Sequence, residues 1–283
     1  MLARSRPDND EPNGDNGLSR FSTREVQMLW RLQGSNTYVL GSIHATDMNP
    51  IQLLPAEYTA FANAARVIFE LDSTEALDPT PIQLPTGTPP PHDRIPADTL
   101  ANVQAHVTRL GLDARCLHTT KPGWVALQLM VHAAAAAGYH GHLGVDEQLR
   151  SQAKREAKQV DKLESRADQM HILSSAPMDE QIAFLSHVAQ SDAGLSEFRQ
   201  MLDAWKSRDY SYFEALLAKR IELIPHTMSE LVWRRNTNWI PKILDQARRQ
   251  ESALFVVGVL HLCGPVGLPY LLAQQGHSLL RCT

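Results

Sequence analysis

The first part of the chain alternates between short apolar runs and breaks rich in small or polar residues. Residues 26–32 and 37–40 are apolar runs separated by Gly34-Ser35-Asn36, a spacing that predicts a β-hairpin. A helix is predicted over residues 56–65, where Pro55 lies in the first turn. Residues 66–72 then form a third short apolar run that ends in acids, which indicates a strand.

The middle of the chain has helical periodicity, and strand patterns return near its end. Helices are predicted from residue 98 onward and over residues 122–137, 144–158, 177–190, 196–208, 212–223 and 228–250, with Pro241 breaking or restarting the last one. Strands are predicted at 159–164, at 253–258 and, as an edge strand, at 278–282, with a helix at 267–275 before the edge strand. Strands near both ends with helices between them predict an α/β fold with a helical insertion in the middle.

Two segments have compositions that do not favour regular structure. Residues 1–24 are polar and have no apolar core of a signal peptide, so we expect a disordered N-terminal tail followed by one domain over residues 25–283. The proline-rich stretch at residues 78–96 is predicted to be a surface loop. Without a visible export signal the expected compartment is the cytoplasm, although an unusual start site would hide such a signal.

Composition excludes several classes of function. The 283 residues include 27 Lys and Arg against 31 Asp and Glu, a formal charge of −4, so there is no basic excess for binding nucleic acid. No long unbroken apolar stretch predicts a membrane span. Cys116, Cys263 and Cys282 are too few and too scattered for a disulfide framework or a thiolate zinc site.

A repeated motif carries the functional argument. Tyr38–Leu40 runs into Gly41-Ser42-Ile43-His44, and Phe255–Val257 runs into Gly258-Val259-Leu260-His261, so an apolar strand leads twice into Gly-x-x-His. In open α/β sheets, ligands bind at the carboxyl ends of the strands. Both histidines are therefore predicted to lie at a ligand-binding edge.

Two glutamates close short apolar runs in the same way. Glu70 follows Phe69, and Glu164 follows Leu163, so two imidazoles and two carboxylates are expected to converge. This donor set suits a divalent cation such as zinc, manganese or cobalt. His44, His261, Glu70 and Glu164 are thus the predicted metal ligands, and Glu70 is also a candidate general base.

Several alternatives stay open. Glu164 is also a candidate ion-pair partner of Arg235, and Asp146, at a helix start, is most simply an N-cap. His140 and His142 form a possible second metal pair, and Cys263 lies two positions after His261 as a possible nucleophile. No Gly-x-Ser-x-Gly, His-Glu-x-x-His or phosphate-loop pattern is present, so those hydrolase and NTPase classes are not supported.

An ordered series of motifs resembles the TraB/GumN family, whose relatives include the PrgY and Tiki proteins. The matching segments, which span about residues 29–280, are Leu29-Trp30, Leu40-Gly41-Ser42-Ile43-His44, Leu54-Pro55, Phe69-Glu70-Leu71-Asp72, Gly144-Val145-Asp146, Leu163-Glu164-Ser165 with Gln169, Arg235-Asn236, Val257–Gly264, Gly267-Leu268 and Leu271-Leu272. The resemblance implies a fold similar to erythromycin-esterase-like and ChaN-like proteins, a central mixed sheet flanked by helices and built from two related halves.

The resemblance also implies a function. Tiki proteins look like metalloproteases, and their Gly-x-x-His motifs and glutamate match His44, His261 and Glu70. Arg235 and Asn236 match the family's Arg-Asn pair. This chain has Arg234 at the preceding position, where the family often has an acid. Arg235 is expected to stabilise an oxyanion or anchor a substrate carboxylate, or else to form a structural ion pair; Asn236 is expected to hold substrate or a ligand, or to cap a turn.

Three functions follow as hypotheses. The first is a metal-dependent hydrolase acting on a peptide or a small molecule. The second is a non-catalytic protein that binds a peptide in the same pocket, and the third is a metal-free ester hydrolase that uses a His and Glu pair.

Overall fold

The structure of the protein is a computed structural model that describes residues 27–49, 52–76, 78–89, 91–190 and 192–282. The predicted tail at residues 1–24 lies outside these ranges. The strands are β1 (Leu29–Leu32), β2 (Thr37–Ser42), β3 (Arg66–Phe69), β4 (Gln159–Lys162), β5 (Ala253–Gly258) and β6 (Leu279–Arg281). The helices are α1 (Pro55–Asn63), α2 (Ala97–Arg109), α3 (Cys116–Thr119), α4 (Pro122–Ala136), α5 (Val145–Arg155), α6 (Arg166–Ser175), α7 (Met178–Ala189), α8 (Ala193–Lys206), α9 (Tyr210–Leu223), α10 (Pro225–Met228), α11 (Arg235–Arg248) and α12 (Leu268–Gln274).

A mixed six-stranded sheet in the order β4-β3-β5-β2-β1-β6 organises the chain. Strands β4, β3, β5 and β2 run parallel, whereas β1 is antiparallel to both of its neighbours, β2 and β6. The α/β class, the mixed sheet and the flanking helices are therefore confirmed, with the helical segment between β4 and β5 as the central insertion.

The two strands that lead into the Gly-x-x-His motifs are neighbours. Strand β5 pairs with β2 over their full lengths, from Thr37 opposite Ala253 to Ser42 opposite Gly258. Every residue of β5 is buried, as the unbroken apolar run Ala-Leu-Phe-Val-Val-Gly requires of a strand covered on both faces. The repeat thus places both motifs side by side at one edge of the sheet.

Helices pack against the sheet and also form a second, smaller core. The main core includes the fully buried side chains of Trp205, Trp239 and Phe255. A separate apolar cluster lies among α2, α4 and α7, where Val103 and Leu185 are buried. The carboxyl-terminal edge of the sheet carries the candidate site.

The structure corrects three local expectations. Pro241 does not break helix α11, because it lies on the exposed side, where Thr237, the residue four positions earlier, is exposed as well. The proline-rich stretch is not wholly a surface loop, since Ile82 and Ile95 are buried. Asp146 is not an N-cap, because Gly144 holds that position of α5.

Helix α6 was not expected from the apolar pattern, which is weak over its sequence. Its start is instead defined by a capping box in which the Ser165 hydroxyl accepts from the Asp168 N–H and the Asp168 carboxylate accepts from the Ser165 N–H. Within the described ranges, no helix combines the length and the apolar character needed to cross a membrane.

Candidate functional site

The carboxyl ends of the four parallel strands bring the predicted site residues to one edge of the sheet. Glu164 follows β4, Glu70 follows β3, and His44 follows β2. His261 follows β5 within a short 3₁₀ turn, Val259–Leu262. Because these strands are adjacent and parallel, residues far apart in sequence come into contact here.

The centre of this cluster is the guanidinium of Arg235. Its Nε donates to Glu164 Oε1 at 2.8 Å, and its Nη2 lies 2.6 Å from Glu70 Oε2 and 2.7 Å from Glu164 Oε1. Its Nη1 is 3.1 Å from His261 Nε2 and 3.3 Å from the Leu231 carbonyl oxygen. Four of the five N–H groups of this guanidinium donate hydrogen bonds, and the Nη2 contact with Glu164 is an ion pair. Arg235 is therefore held by its neighbours in this arrangement, which is the ion-pair role rather than the oxyanion role.

The local backbone explains how Arg235 reaches both glutamates. Ser229–Arg234 forms a π-helical segment directly before α11 begins at Arg235. Such segments redirect the following side chains and are frequent at functional sites. The guanidinium also lies over the ring of Trp239, 4.7 Å from its centroid, and Trp239 Nε1 donates to Glu164 Oε2 at 3.1 Å. The helix thus fixes the cation and one of its carboxylate partners together.

Asn236 orients His261 rather than a ligand. Its Oδ1 is 2.8 Å from His261 Nδ1, and its Nδ2 donates to the carbonyl oxygens of His261 at 3.1 Å and Val266 at 2.8 Å. Because an amide oxygen only accepts, the proton of His261 lies on Nδ1, and Nε2 accepts from Arg235. His261 is buried, and burial together with Arg235 lowers its pKa to about 3 although Glu70 opposes the shift. Its imidazole is neutral at physiological pH.

Glu70 is a buried carboxylate with fixed partners. Its Oε1 accepts from the backbone N–H of Gly258 at 2.6 Å and lies 3.7 Å from His261 Nε2. Burial alone would raise the pKa of Glu70, but Arg235 and the other neighbouring donors hold it well below its usual range. At Glu164, by contrast, burial prevails and raises the pKa despite the contact with Arg235. The two carboxylates that share Arg235 thus have pKa values shifted in opposite directions, downward for Glu70 and upward for Glu164.

His44 has a different environment from His261. Its side chain is 62% exposed, and its Nδ1 lies 3.4 Å from Asp146 Oδ2. Desolvation lowers the pKa of His44, but the charges of Asp146 and Glu70 outweigh it and raise the pKa to about 9. The carboxylate on Nδ1 leaves Nε2 facing the neighbouring strand end.

Two glycines make this placement possible. A Cβ on Gly144 would overlap the carbonyl oxygen of His44, so only glycine lets the start of α5 approach so closely. A Cβ on Gly258 would lie 3.0 Å from His44 Nε2 and 3.4 Å from Glu70 Oε1. The space left by the absent side chain of Gly258 is therefore shared by an imidazole nitrogen and a carboxylate oxygen.

A cavity of about 280 Å³ opens at this point. Its walls are formed by His44, Phe69, Glu70, Leu71, Ser73, Asp146, Glu147, Arg150, Arg166, Gln169 and Val256. Of the predicted site residues, only His44 and Glu70 line it. Glu164, Arg235, Asn236 and His261 do not line it, so the structure brings all six residues together but places only two at the cavity wall.

Asp146 lines the cavity and contacts His44 instead of capping helix α5, the role that the sequence most simply indicated. Its Oδ1 is buried without a hydrogen-bond partner among the described residues, while its Oδ2 contacts His44. The signal was present in the Gly144-Val145-Asp146 segment, where a glycine before a helix permits close approach to another strand end.

The two minor alternatives receive no support from the geometry. The rings of His140 and His142 stack at 5.3 Å. In the part of the chain that is described, no group of three or more His, Cys, Asp or Glu side chains is arranged to hold a metal, either at this pair or around His44 and Glu70. Cys263 is buried with its Sγ 3.3 Å from the Val259 carbonyl oxygen, and burial raises its pKa to about 12. Such a thiol is not an activated nucleophile.

Comparison with known proteins agrees with the order of motifs. The uncharacterized protein YbaP of Shigella flexneri is 26% identical over 243 residues, which cover 84% of this chain and 88% of YbaP. YbaP of Escherichia coli strain K12 is 26% identical over 241 residues, covering 83% of this chain and 87% of that protein. No solved structure matches the chain. The profile of the TraB/PrgY/gumN family matches residues 28–281, and the chain belongs to that family.

Proposed function

We propose that this chain is a metal-dependent hydrolase, peptidase-like in its substrate class, whose reaction takes place in the cavity beside His44 and Glu70. The observation that carries the proposal is the space at Gly258, toward which His44 Nε2 and Glu70 Oε1 both face. One imidazole nitrogen and one carboxylate oxygen at the end of parallel strands are suitable partners for a divalent cation or for the water that it activates.

The donor set fits a cation in part. His44 Nε2 and Glu70 Oε1 are nitrogen and oxygen donors of the kind that zinc, manganese and cobalt accept. His261 Nε2 accepts from Arg235, so it would become a ligand only if Arg235 moved. Glu70 and Glu164 each have a donor at both carboxylate oxygens, and of the two only Glu70 lines the cavity. When bound, such a cation polarises a carbonyl group and lowers the pKa of water.

The residues of the chain prepare this site electrostatically. Arg235 holds Glu70 ionised, which favours a role as an anionic ligand over a role as general base, because an effective base has a pKa near the working pH. Asp146 contacts Nδ1 of His44 and thereby directs Nε2 toward Glu70. Arg235 contributes through Glu70 and His261, and Asn236 through His261.

A metal-free hydrolase is the second candidate, and one observation favours it. The carboxylates around His44 stabilise its imidazolium, with a pKa of about 9, so Nε2 carries a proton at neutral pH when no cation competes for it. An imidazolium at the cavity wall is placed to protonate a leaving group. In this case Glu70 balances the charge of His44, and hydrolysis does not depend on a cation.

The experiment compares chelator-treated full-length chain with the same chain reloaded with zinc, manganese or cobalt. Peptide mixtures are incubated with each, and products are identified by mass spectrometry. Cleavage that requires a cation and is lost in both His44→Ala and Glu70→Gln supports the metal-dependent reaction. His277→Ala, at an exposed histidine outside the site, is the matched control and should retain activity.

Each other outcome has a defined reading. Cleavage that survives the chelator but requires His44 identifies the metal-free reaction. Saturable peptide binding without any product in all metal states identifies a binding protein that uses the same cavity. Cleavage that survives both His44→Ala and Glu70→Gln contradicts the proposed reaction centre.

A further inference from the structure

The ionisable groups that line the cavity form pairs, with one exception. His44 contacts Asp146, and the buried Arg235 pairs with Glu70. Arg150 donates to Glu147 Oε1 at 3.0 Å. These contacts leave one titratable lining residue, Arg166.

Arg166 has no carboxylate partner among the described residues. Its Nη2 donates to the Ser73 carbonyl oxygen at 3.3 Å, and its Nε is buried without any acceptor. A buried donor without an acceptor is destabilising, so its persistence needs a reason. The other polar group nearby is the amide of the half-buried Gln169, whose side chain forms no hydrogen bond within the described chain and lies one helical turn further along α6.

The backbone at the start of α6 is already satisfied and does not explain the feature. The Arg166 N–H donates to Glu75 Oε2 at 2.7 Å, and Ser165 and Asp168 cap each other. The available recognition groups are therefore the side chains of Arg166 and Gln169. A planar guanidinium beside an amide is suited to bind an anionic oxygen pair.

We infer that Arg166 and Gln169 form a subsite for a carboxylate of the substrate, which rests on the proposed hydrolase function. One cation of the wall, Arg166, has no carboxylate contact, so the subsite matches a ligand group with a single negative charge. A phosphate, with up to two charges, would exceed that single cation. The cavity of about 280 Å³ has room for a short acyl or peptide segment ending in a carboxylate.

Binding without turnover tests this subsite independently of the reaction. The probes are N-acetyl-dialanine with a free carboxylate, its C-terminal amide, and phenyl phosphate, each titrated into full-length Glu70→Gln chain by calorimetry. We expect the free acid to bind about tenfold more tightly than the amide. Arg166→Gln should abolish that preference, Arg166→Lys should keep part of it, and Arg155→Gln, at an exposed arginine on α5, should leave it intact.

Opposite results overturn the inference. Equal binding of acid and amide, a preference that survives Arg166→Gln, or no saturable binding of the acid each removes the carboxylate subsite. Tighter binding of phenyl phosphate reassigns it to phosphoryl groups. If the preference is found but no peptide is ever cleaved, the hydrolase proposal fails while the subsite stands. If acid and amide peptides are cleaved at equal rates, the hydrolase proposal stands while the carboxylate subsite fails.

Discussion

Replacing Arg235 by methionine should destabilise the protein strongly, because it removes the only cation that contacts both buried carboxylates in the described structure. The guanidinium is 5% exposed, and Glu70 and Glu164 are 8% and 9% exposed. Breaking a buried ion pair from one side costs about 3–5 kcal/mol, since the remaining charge has no compensation. Methionine keeps most of the apolar part of the arginine side chain, so the decrease in the free energy of unfolding measures the contribution of the charge and its hydrogen bonds.

The neighbouring arginine offers a matched control. Arg234 is 60% exposed and pairs only with Glu230 one turn away, an arrangement that contributes at most about 1 kcal/mol. Urea unfolding of the wild type, Arg234→Met and Arg235→Met at pH 7 measures the difference directly. For a domain of this size, the expected loss in Arg235→Met corresponds to a lower Tm by roughly 6–10 °C.

The loss should also depend on pH, with a defined sign. In the wild type the lowered pKa of Glu70 means that its carboxylate stabilises the fold above the ordinary value of about 4.5 and loses this contribution as the pH falls toward the lowered value. In Arg235→Met, burial acts on Glu70 without the opposing effect of Arg235 and raises its pKa. As the pH falls, Glu70 of the variant is protonated in the folded state, and the destabilisation caused by its buried charge decreases. The gap between wild type and variant should therefore narrow from pH 7 to pH 5. A gap below about 1 kcal/mol at pH 7, or one that widens toward pH 5, would refute this account of the cluster.

Three further substitutions follow from the contacts of His44. Gly144→Ala should destabilise the protein by about 1–3 kcal/mol, measured by urea unfolding, because its Cβ would overlap the His44 carbonyl oxygen; an unchanged midpoint would contradict the close approach. Gly258→Ala should keep stability within about 1 kcal/mol but abolish cation binding measured by calorimetry, since its Cβ fills the space between His44 and Glu70. Asp146→Asn should lower the pKa of His44 from about 9 toward its ordinary value in an NMR titration, and an unaltered titration would remove Asp146 from its role.

Much of the fold followed from the apolar pattern. The sequence indicates the hairpin, the buried strand β5 and the edge strand β6. Short apolar runs bounded by turn residues, and alternation of apolar and polar residues, are both typical of strands. Helix α6 was not visible, since a capping box rather than an apolar face marks its start. Pro241 misled the interpretation of α11, because sequence does not reveal that a proline will lie on the exposed side of a helix.

The site was predictable as a set of residues but not as an arrangement. The repeated Gly-x-x-His motif indicated that two histidines converge, and the acids at the ends of apolar runs indicated the two glutamates. The sequence left open whether Glu164 would bind a ligand or Arg235, and it did not indicate the π-helical segment after which Arg235 contacts both glutamates. The importance of Asp146 likewise depends on the approach of α5 to the end of β2, a tertiary contact that local pattern does not encode.

The repeated motif has acquired two different chemical environments from one local sequence. His261 follows the fully buried β5, where Asn236 and Arg235 occupy both ring nitrogens and its pKa falls. His44 follows β2 beside the open cavity, where the carboxylate of Asp146 occupies one nitrogen and its pKa rises. Environments that push two pKa values apart separate the chemical roles of two like residues. The second histidine therefore stabilises the buried cation that keeps Glu70 ionised, and the first presents its Nε2 beside that carboxylate at the cavity wall.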